Sequence, residues 1–253
     1  MCLILFAHDM HSAYRLIVGA NRDEFHGRLT APAAWWKDAP EVLAGRDLQG
    51  GGTWMGVTRS GRFAAVTNIR APGVEHVGAP SRGALVANFL RGQDSPGAYL
   101  ERVALEAHHF NGFNLLVGDE GGLWYLSSHT PEVRQLDPGV YGLSNAPLGS
   151  SWPKTERGTQ GLQQLLGARA EPEPEAILGL LADETIPGEQ DLPDTGVGQE
   201  HERILAPAFI NGPVYGSRSS TVLLITRDGN ASLVERTFGP AGEQQGEVRY
   251  TFP

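Results

Sequence analysis

Cysteine is almost missing from this chain: Cys2 is the one example in 253 residues. That excludes an intrachain disulfide and any zinc site built from several thiolates, and it points to a reducing, cytoplasmic setting. Basic charge is scarce as well. Lys and Arg total 20 against 29 Asp and Glu, a formal net charge of −9. Such a balance disfavours nucleic acid and anionic lipid surfaces as partners. No apolar run approaches the roughly 18 residues that cross a bilayer. The opening Met-Cys-Leu-Ile-Leu-Phe-Ala-His-Asp has no basic lead-in, so no secretory signal is expected. The eight histidines are scattered without metal-ligand spacing, and neither a metal nor a resident cofactor is expected.

Glycine (33) and proline (17) are plentiful, which fits many strands joined by tight turns. Leu3–Ala7 and Tyr14–Ala20 read as an N-terminal β-hairpin, with Asn21-Arg22-Asp23-Glu24 at its far end. Trp54–Val57 and Phe63–Ile69 read as further strands. Helical spacing begins at Ser81-Arg82-Gly83 and again over Tyr99–Ala107. Strands follow at Asn114–Val117, Leu123–Ser127, Val133–Leu136 and Val140–Leu143. Helices are expected over Lys154–Leu166 and Glu175–Leu181, and a last hairpin over Ser220–Thr226 and Ala231–Phe238. Residues 26–52, 70–81 and 183–217 read as loops, with the Pro-, Gly- and acid-rich stretch 183–201 a lid candidate. Strands and helices alternate in blocks, which predicts an α+β fold with antiparallel sheets in one domain spanning 1–253.

Cys2 becomes the first residue once Met1 is removed, which its small side chain favours. The chain would then carry a thiol and an α-amine on one residue. The free amine titrates near ~7.7–8.0 and a thiol near ~8.5, so the amine can accept the thiol proton without help from histidine. A lone cysteine beside Leu-Ile-Leu is also readable as a small buried hydrophobe. The hairpin brings position 2 next to positions 20–23. Asp23 or Arg22 can then reach the Cys2 amine or sulfur, the carboxylate holding the amine and the guanidinium favouring thiolate. Strand alternation puts Asn21 and Asp23 on one face, Arg22 and Glu24 on the other. Asn145 carries a neutral amide donor suited to an oxyanion, or else makes an Asx turn before Pro147. Asn68 follows a buried-looking strand and needs partners, from the protein or from a ligand. Arg218, before an apolar strand, is either a partner for Asp23 or an ordinary solvated arginine. Trp54 reads as a core or lip residue. The glycine loop 50–52 lacks the lysine and the helix of a phosphate loop.

Met-Cys-Leu, Gly19-Ala20-Asn21-Arg22-Asp23-Glu24-Phe25, Gly51-Gly52-Thr53-Trp54-Met55-Gly56, Thr67-Asn68, Leu143-Ser144-Asn145, Trp152-Pro153-Lys154 and Tyr215-Gly216-Ser217-Arg218-Ser219-Ser220-Thr221-Val222 together resemble the NRDE family, also called the transport-and-Golgi-organisation family. The resemblance implies a four-layer αββα sandwich of the N-terminal-nucleophile hydrolase type. More distantly, the chain is similar to the cysteine hydrolases that cleave bile salts and penicillin V. That likeness implies catalytic roles for Cys2, Asp23, Asn68, Asn145 and Arg218, with Arg22 as the nearest guanidinium because Ala20 stands where those enzymes carry arginine. Asn21 and Trp54 are assigned to substrate binding.

Three functional readings follow. In the first, Cys2 attacks a non-peptide amide or other acyl bond of a small molecule and passes through an acyl-thioester. In the second, the family link implies a carrier of a hydrophobic ligand such as haem. In the third, the chain is a catalytically inactive relative.

Overall fold

The computed structural model describes residues 2–74, 76–167 and 171–253. Two antiparallel sheets lie face to face. The first takes β1 (Cys2–His8), β2 (Tyr14–Phe25), β10 (Gly139–Leu143), β11 (Tyr215–Thr226), β12 (Ala231–Phe238) and β13 (Gln244–Phe252), in the order β10-β1-β2-β11-β12-β13. The second runs in chain order through β3 (Thr30–Trp36), β4 (Ala39–Asp47), β5 (Met55–Thr58), β6 (Phe63–Asn68), β7 (Phe113–Asp119), β8 (Gly122–Ser127) and β9 (Arg134–Gln135).

The apolar runs of β1 and β2 have no polar alternation because both of their faces are covered. Ile4, Phe6, Leu16 and Val18 meet Leu43, Val57, Phe63 and Leu116 between the sheets. Leu3, Leu5, Ala7 and Ile17 face outward onto α3 (Pro153–Gly167) and α4 (Pro174–Leu181), through Leu162, Ile177 and Leu181. On the far side, α1 (Gly83–Arg91) and α2 (Pro96–Glu106) cover the second sheet with Leu85, Val86, Phe89, Leu100 and Val103. The layers are therefore helix, sheet, sheet, helix: the expected αββα sandwich. Gly19 sets how closely α4 approaches β2, since a Cβ there would lie 2.5 Å from Ile177 Cγ2.

Several expectations need correction. Residues 26–52 are mainly β3 and β4, not a loop. Pro32 and the small residues of Thr-Ala-Pro-Ala-Ala hid β3, whose pairing with β4 carries two register shifts. The chain ends in a third strand, β13, beyond the expected hairpin. Asn21–Glu24 do not follow β2; they are part of it, and the strand continues to Phe25. The lid candidate holds a short 3₁₀ turn (Glu189–Asp191) and the start of α5 (Gln199–Leu205). Within 70–81, Glu75 lies outside the described residues. Among the described residues, no helix is long and apolar enough to cross a membrane.

Candidate active site

Register assembles the site. Cys2 opens β1 directly opposite Arg22 on β2, and Arg22 is opposite Ser219 on β11. Residues paired across antiparallel strands share a face. Cys2 and Arg22 therefore turn into the space between the sheets, in line with Ile4 and Phe6. There a cleft of about 300 Å³ opens, lined by Cys2, Arg22, Asp23, Trp54, Asn68 and Arg82 among others. The Arg22 guanidinium lies 4.3 Å above the centre of the Trp54 ring, and its Nη2 is 3.8 Å from Glu24 Oε2. Gly45 leaves room for that ring: a Cβ there would come within 2.3 Å of it.

Burial pushes the Cys2 thiol above its ordinary value, and the Asp23 carboxylate adds to this. Arg22 and a hydrogen bond from the Asp23 backbone pull the other way. The surroundings of Cys2 thus favour the neutral thiol over the thiolate. Asp23 sits one residue along β2 and faces the helical layer. Ser217 Oγ donates to its Oδ1 at 2.6 Å, and Tyr215 Oη donates to its carbonyl at 3.0 Å. Burial raises the Asp23 carboxyl, opposed chiefly by the charge of Lys154.

Lys154 is the residue that sequence reasoning missed. It is buried in the first turn of α3, with Nζ donating to the Leu205 carbonyl at 2.9 Å. Burial pulls its ammonium down to about 8, although Asp23 and Cys2 both favour the charge. One signal was available: a helix N-terminus repels cations, so a lysine there needs partners elsewhere. The Arg70–Glu202 ion pair was missed too. It is almost wholly buried, and Glu202 Oε1 also accepts from the Thr195 amide at 2.8 Å. Arg70 lies 4.8 Å over the Trp152 ring, so the pair fastens the stretch around α5 beside Lys154.

The structure separates the remaining candidates. Trp54 and Asn68 line the cleft. Asn21 does not: its Nδ2 donates to the carbonyls of Leu181 at 2.8 Å and Ala208 at 2.7 Å, and its Oδ1 accepts from Ser220 Oγ at 2.6 Å. Strand alternation turns it onto α4, so it stitches layers together and does not reach a ligand in the cleft. Asn145 also lies outside the cleft lining. Its Nδ2 donates to the Asn68 carbonyl at 2.8 Å, and its Oδ1 accepts from Ser144 Oγ at 3.2 Å. Arg218 falls in a β-bulge, because Ser217 pairs with Asp23 while Ser219 pairs with Arg22. The bulge aims its guanidinium away from Asp23. Its Nη1 instead donates to the carbonyls of Phe25, His26 and Arg28, at 2.9, 3.1 and 3.2 Å. The expected loss of Met1 concerns a residue outside the described ones. Among the described residues, no group of three or more His, Cys, Asp or Glu side chains is placed to hold a metal ion.

The family model described as Transport and Golgi organisation 2 matches residues 1–240. The chain belongs to that family. A Transport and Golgi organization protein 2 homolog of Bos taurus is 37% identical over 257 residues, covering 94% of this chain and 93% of that protein. The Transport and Golgi organization protein 2 of Drosophila melanogaster is 27% identical over 275 residues, covering 96% and 95%. Among solved structures, the C2A mutant of the conjugated bile acid hydrolase from Clostridium perfringens matches with a TM-score of 0.53. That match covers 99% of this chain and 92% of that one at 11% identity. This chain and that hydrolase thus share the four-layer αββα sandwich.

Proposed function

We propose that this chain hydrolyses an amide or other acyl bond of a small molecule, with the Cys2 sulfur as nucleophile. The observation that carries the reading is the position of Cys2. It lines a charged cleft, at the head of a strand held on both sides, beside a guanidinium and near the buried Asp23 and Lys154. The cysteine-to-alanine substitution named for the bile acid hydrolase adds support from a protein of the same fold. A cleft walled by Arg22, Asp23, Arg28, Asp47 and Arg82 suits a polar substrate better than an apolar cargo such as haem.

In this reading Met1 is removed and the Cys2 α-amine takes the thiol proton as the sulfur–carbon bond forms. The carbonyl π pair moves onto oxygen. The Asn68 side chain, in the cleft wall, donates to that oxyanion. Asn145 acts behind it, by holding the Asn68 carbonyl. The tetrahedral centre then collapses and the leaving group departs with the proton from the amine. Water attacks the thioester, releases the acid and returns the thiol. Asp23, next to the amine, orients it.

Intact mass should show the chain without Met1, and a panel of activated amides and esters should be turned over. Cys2→Ala should lose turnover entirely, with no shift in unfolding temperature large enough to explain the loss. Turnover that survives Cys2→Ala ends the proposal.

A further inference from the structure

A second cleft, of about 200 Å³, adjoins the first and shares Arg22 and Trp54 with it. Its wall adds Arg218, Ser219, Glu235 and Thr237. Three polar atoms carried by these residues are buried and have no hydrogen-bond partner: Arg22 Nη1, Arg218 Nε and Ser219 Oγ. Arg22 and Ser219 are only 5% and 4% exposed, so bulk water does not serve them. Buried polar atoms are nearly always satisfied, and exceptions call for an explanation. Here all three are donors, and all three belong to one wall.

The charges agree. Two guanidinium groups share this wall. Arg218, already disfavoured as a cation by burial, is disfavoured further by Arg22. The carboxylate of the wall, Glu235, is committed elsewhere: Oε1 accepts from the Ala33 amide at 2.6 Å and Oε2 from Thr221 Oγ1 at 3.1 Å. Burial pushes the Glu235 carboxyl up, opposed by those two hydrogen bonds and by the charge of Arg22. Glu24 approaches Arg22 through Nη2, not through the unpartnered Nη1. The site thus holds two guanidinium groups with donors to spare.

We infer that this cleft binds an oxyanion, a carboxylate or a phosphate group, between Arg22, Arg218 and Ser219. Planar guanidinium groups are well matched to such groups. Resting on the hydrolase reading, the inference also names the substrate class. Cys2, Arg22, Ser219 and Thr237 form one row across β1, β2, β11 and β12. Neighbouring strands lie about 4.8 Å apart, so Ser219 stands about 10 Å from Cys2. The substrate is an acyl compound whose anionic group lies that far from the carbonyl under attack.

The full chain carrying Cys2→Ala, which has no nucleophile, is titrated with inorganic phosphate, with butyrate and with neutral butanamide. The Arg218 Nε–H resonance, assigned by its loss in Arg218→Lys, reports the contact. It should move downfield and saturate with phosphate, with butyrate or with both, the arms telling the two anions apart, and stay fixed with butanamide. In calorimetry, Arg218→Lys should weaken anion binding about tenfold, as expected for losing the charge-assisted Nε–H contact. Ser219→Ala leaves the carbonyl contacts of Arg218 intact and should weaken binding about threefold through one lost hydrogen bond. An unmoved resonance with both anions overturns the inference, and so does unchanged affinity in both variants. Binding is read without the sulfur, so turnover surviving Cys2→Ala defeats only the hydrolase reading, and silence in this titration defeats only the anion site.

Discussion

Two buried polar residues, Asn21 and Lys154, act on stability in different ways. Asn21 spends its amide on the carbonyls of Leu181 and Ala208 and on the Ser220 hydroxyl. Asn21→Ala leaves those groups without partners and should cost about 2–4 kcal/mol of stability, measured by urea unfolding. Thiol labelling of Cys2 in the folded variant should stay as it was. A stable variant with altered labelling would place Asn21 in the site after all. Lys154 makes a pH-dependent contribution. Its folded value, about 8, lies below the ordinary 10.5. Between those values the unfolded chain binds more protons than the folded one, so this residue makes stability rise with pH across that window. Below the window the full cost of burying the charge is felt. Asp23, Arg70, Cys2 and Glu202 all face the same ammonium. Lys154→Met should flatten the rise in unfolding free energy between pH 8 and 10.5 relative to the parent.

At the scale of elements, α5 depends on one buried charge pair. Glu202→Gln keeps the side-chain shape but removes the carboxylate charge from Arg70, a loss on the order of 3 kcal/mol. Hydrogen exchange should quicken first over residues 192–205, ahead of the two sheets. Uniform loss of protection would mean that α5 unfolds only with the rest. Elements were legible in the sequence where the pattern was physical: the β1–β2 hairpin, α1 to α4 and the strands around β7 all follow from apolar spacing. β3 escaped because Pro32 and its alanines carry no alternation. β13 escaped because Gln244–Phe252 is an edge strand with mostly exposed residues. In the site, the hairpin alone places Arg22 and Asp23 beside Cys2, whereas Asn68 and Trp54 were grouped with it only through the family resemblance. Arg218 was left between a partner for Asp23 and a solvated arginine; a bulge between Ser217 and Ser219 sets its aim, and a bulge leaves no mark in a single sequence. Arg70–Glu202 joins residues 132 positions apart, a pairing that no local pattern encodes.

Across the whole molecule, net charge of −9 surrounds a pair of clefts rich in arginine. Self-repulsion of the acidic surface should make the unfolding temperature rise between low and physiological ionic strength, as screening grows. A fall would mean that attractive ion pairs, such as those of Arg236 and Arg249 with Glu175 and Glu247, outweigh the repulsion.

Because Cys2 both heads β1 and lines the cleft, any peptide joined ahead of it starts from the cleft wall. An affinity tag or reporter fused at that end also removes the free α-amine that the proposed hydrolysis needs. The opposite terminus, Pro253, lies in a separate cleft with His8 and Arg15, at the other end of β1. A fusion there leaves the Cys2 amine free, so the proposed hydrolysis predicts turnover with a tag after Pro253 and none with a tag ahead of Cys2.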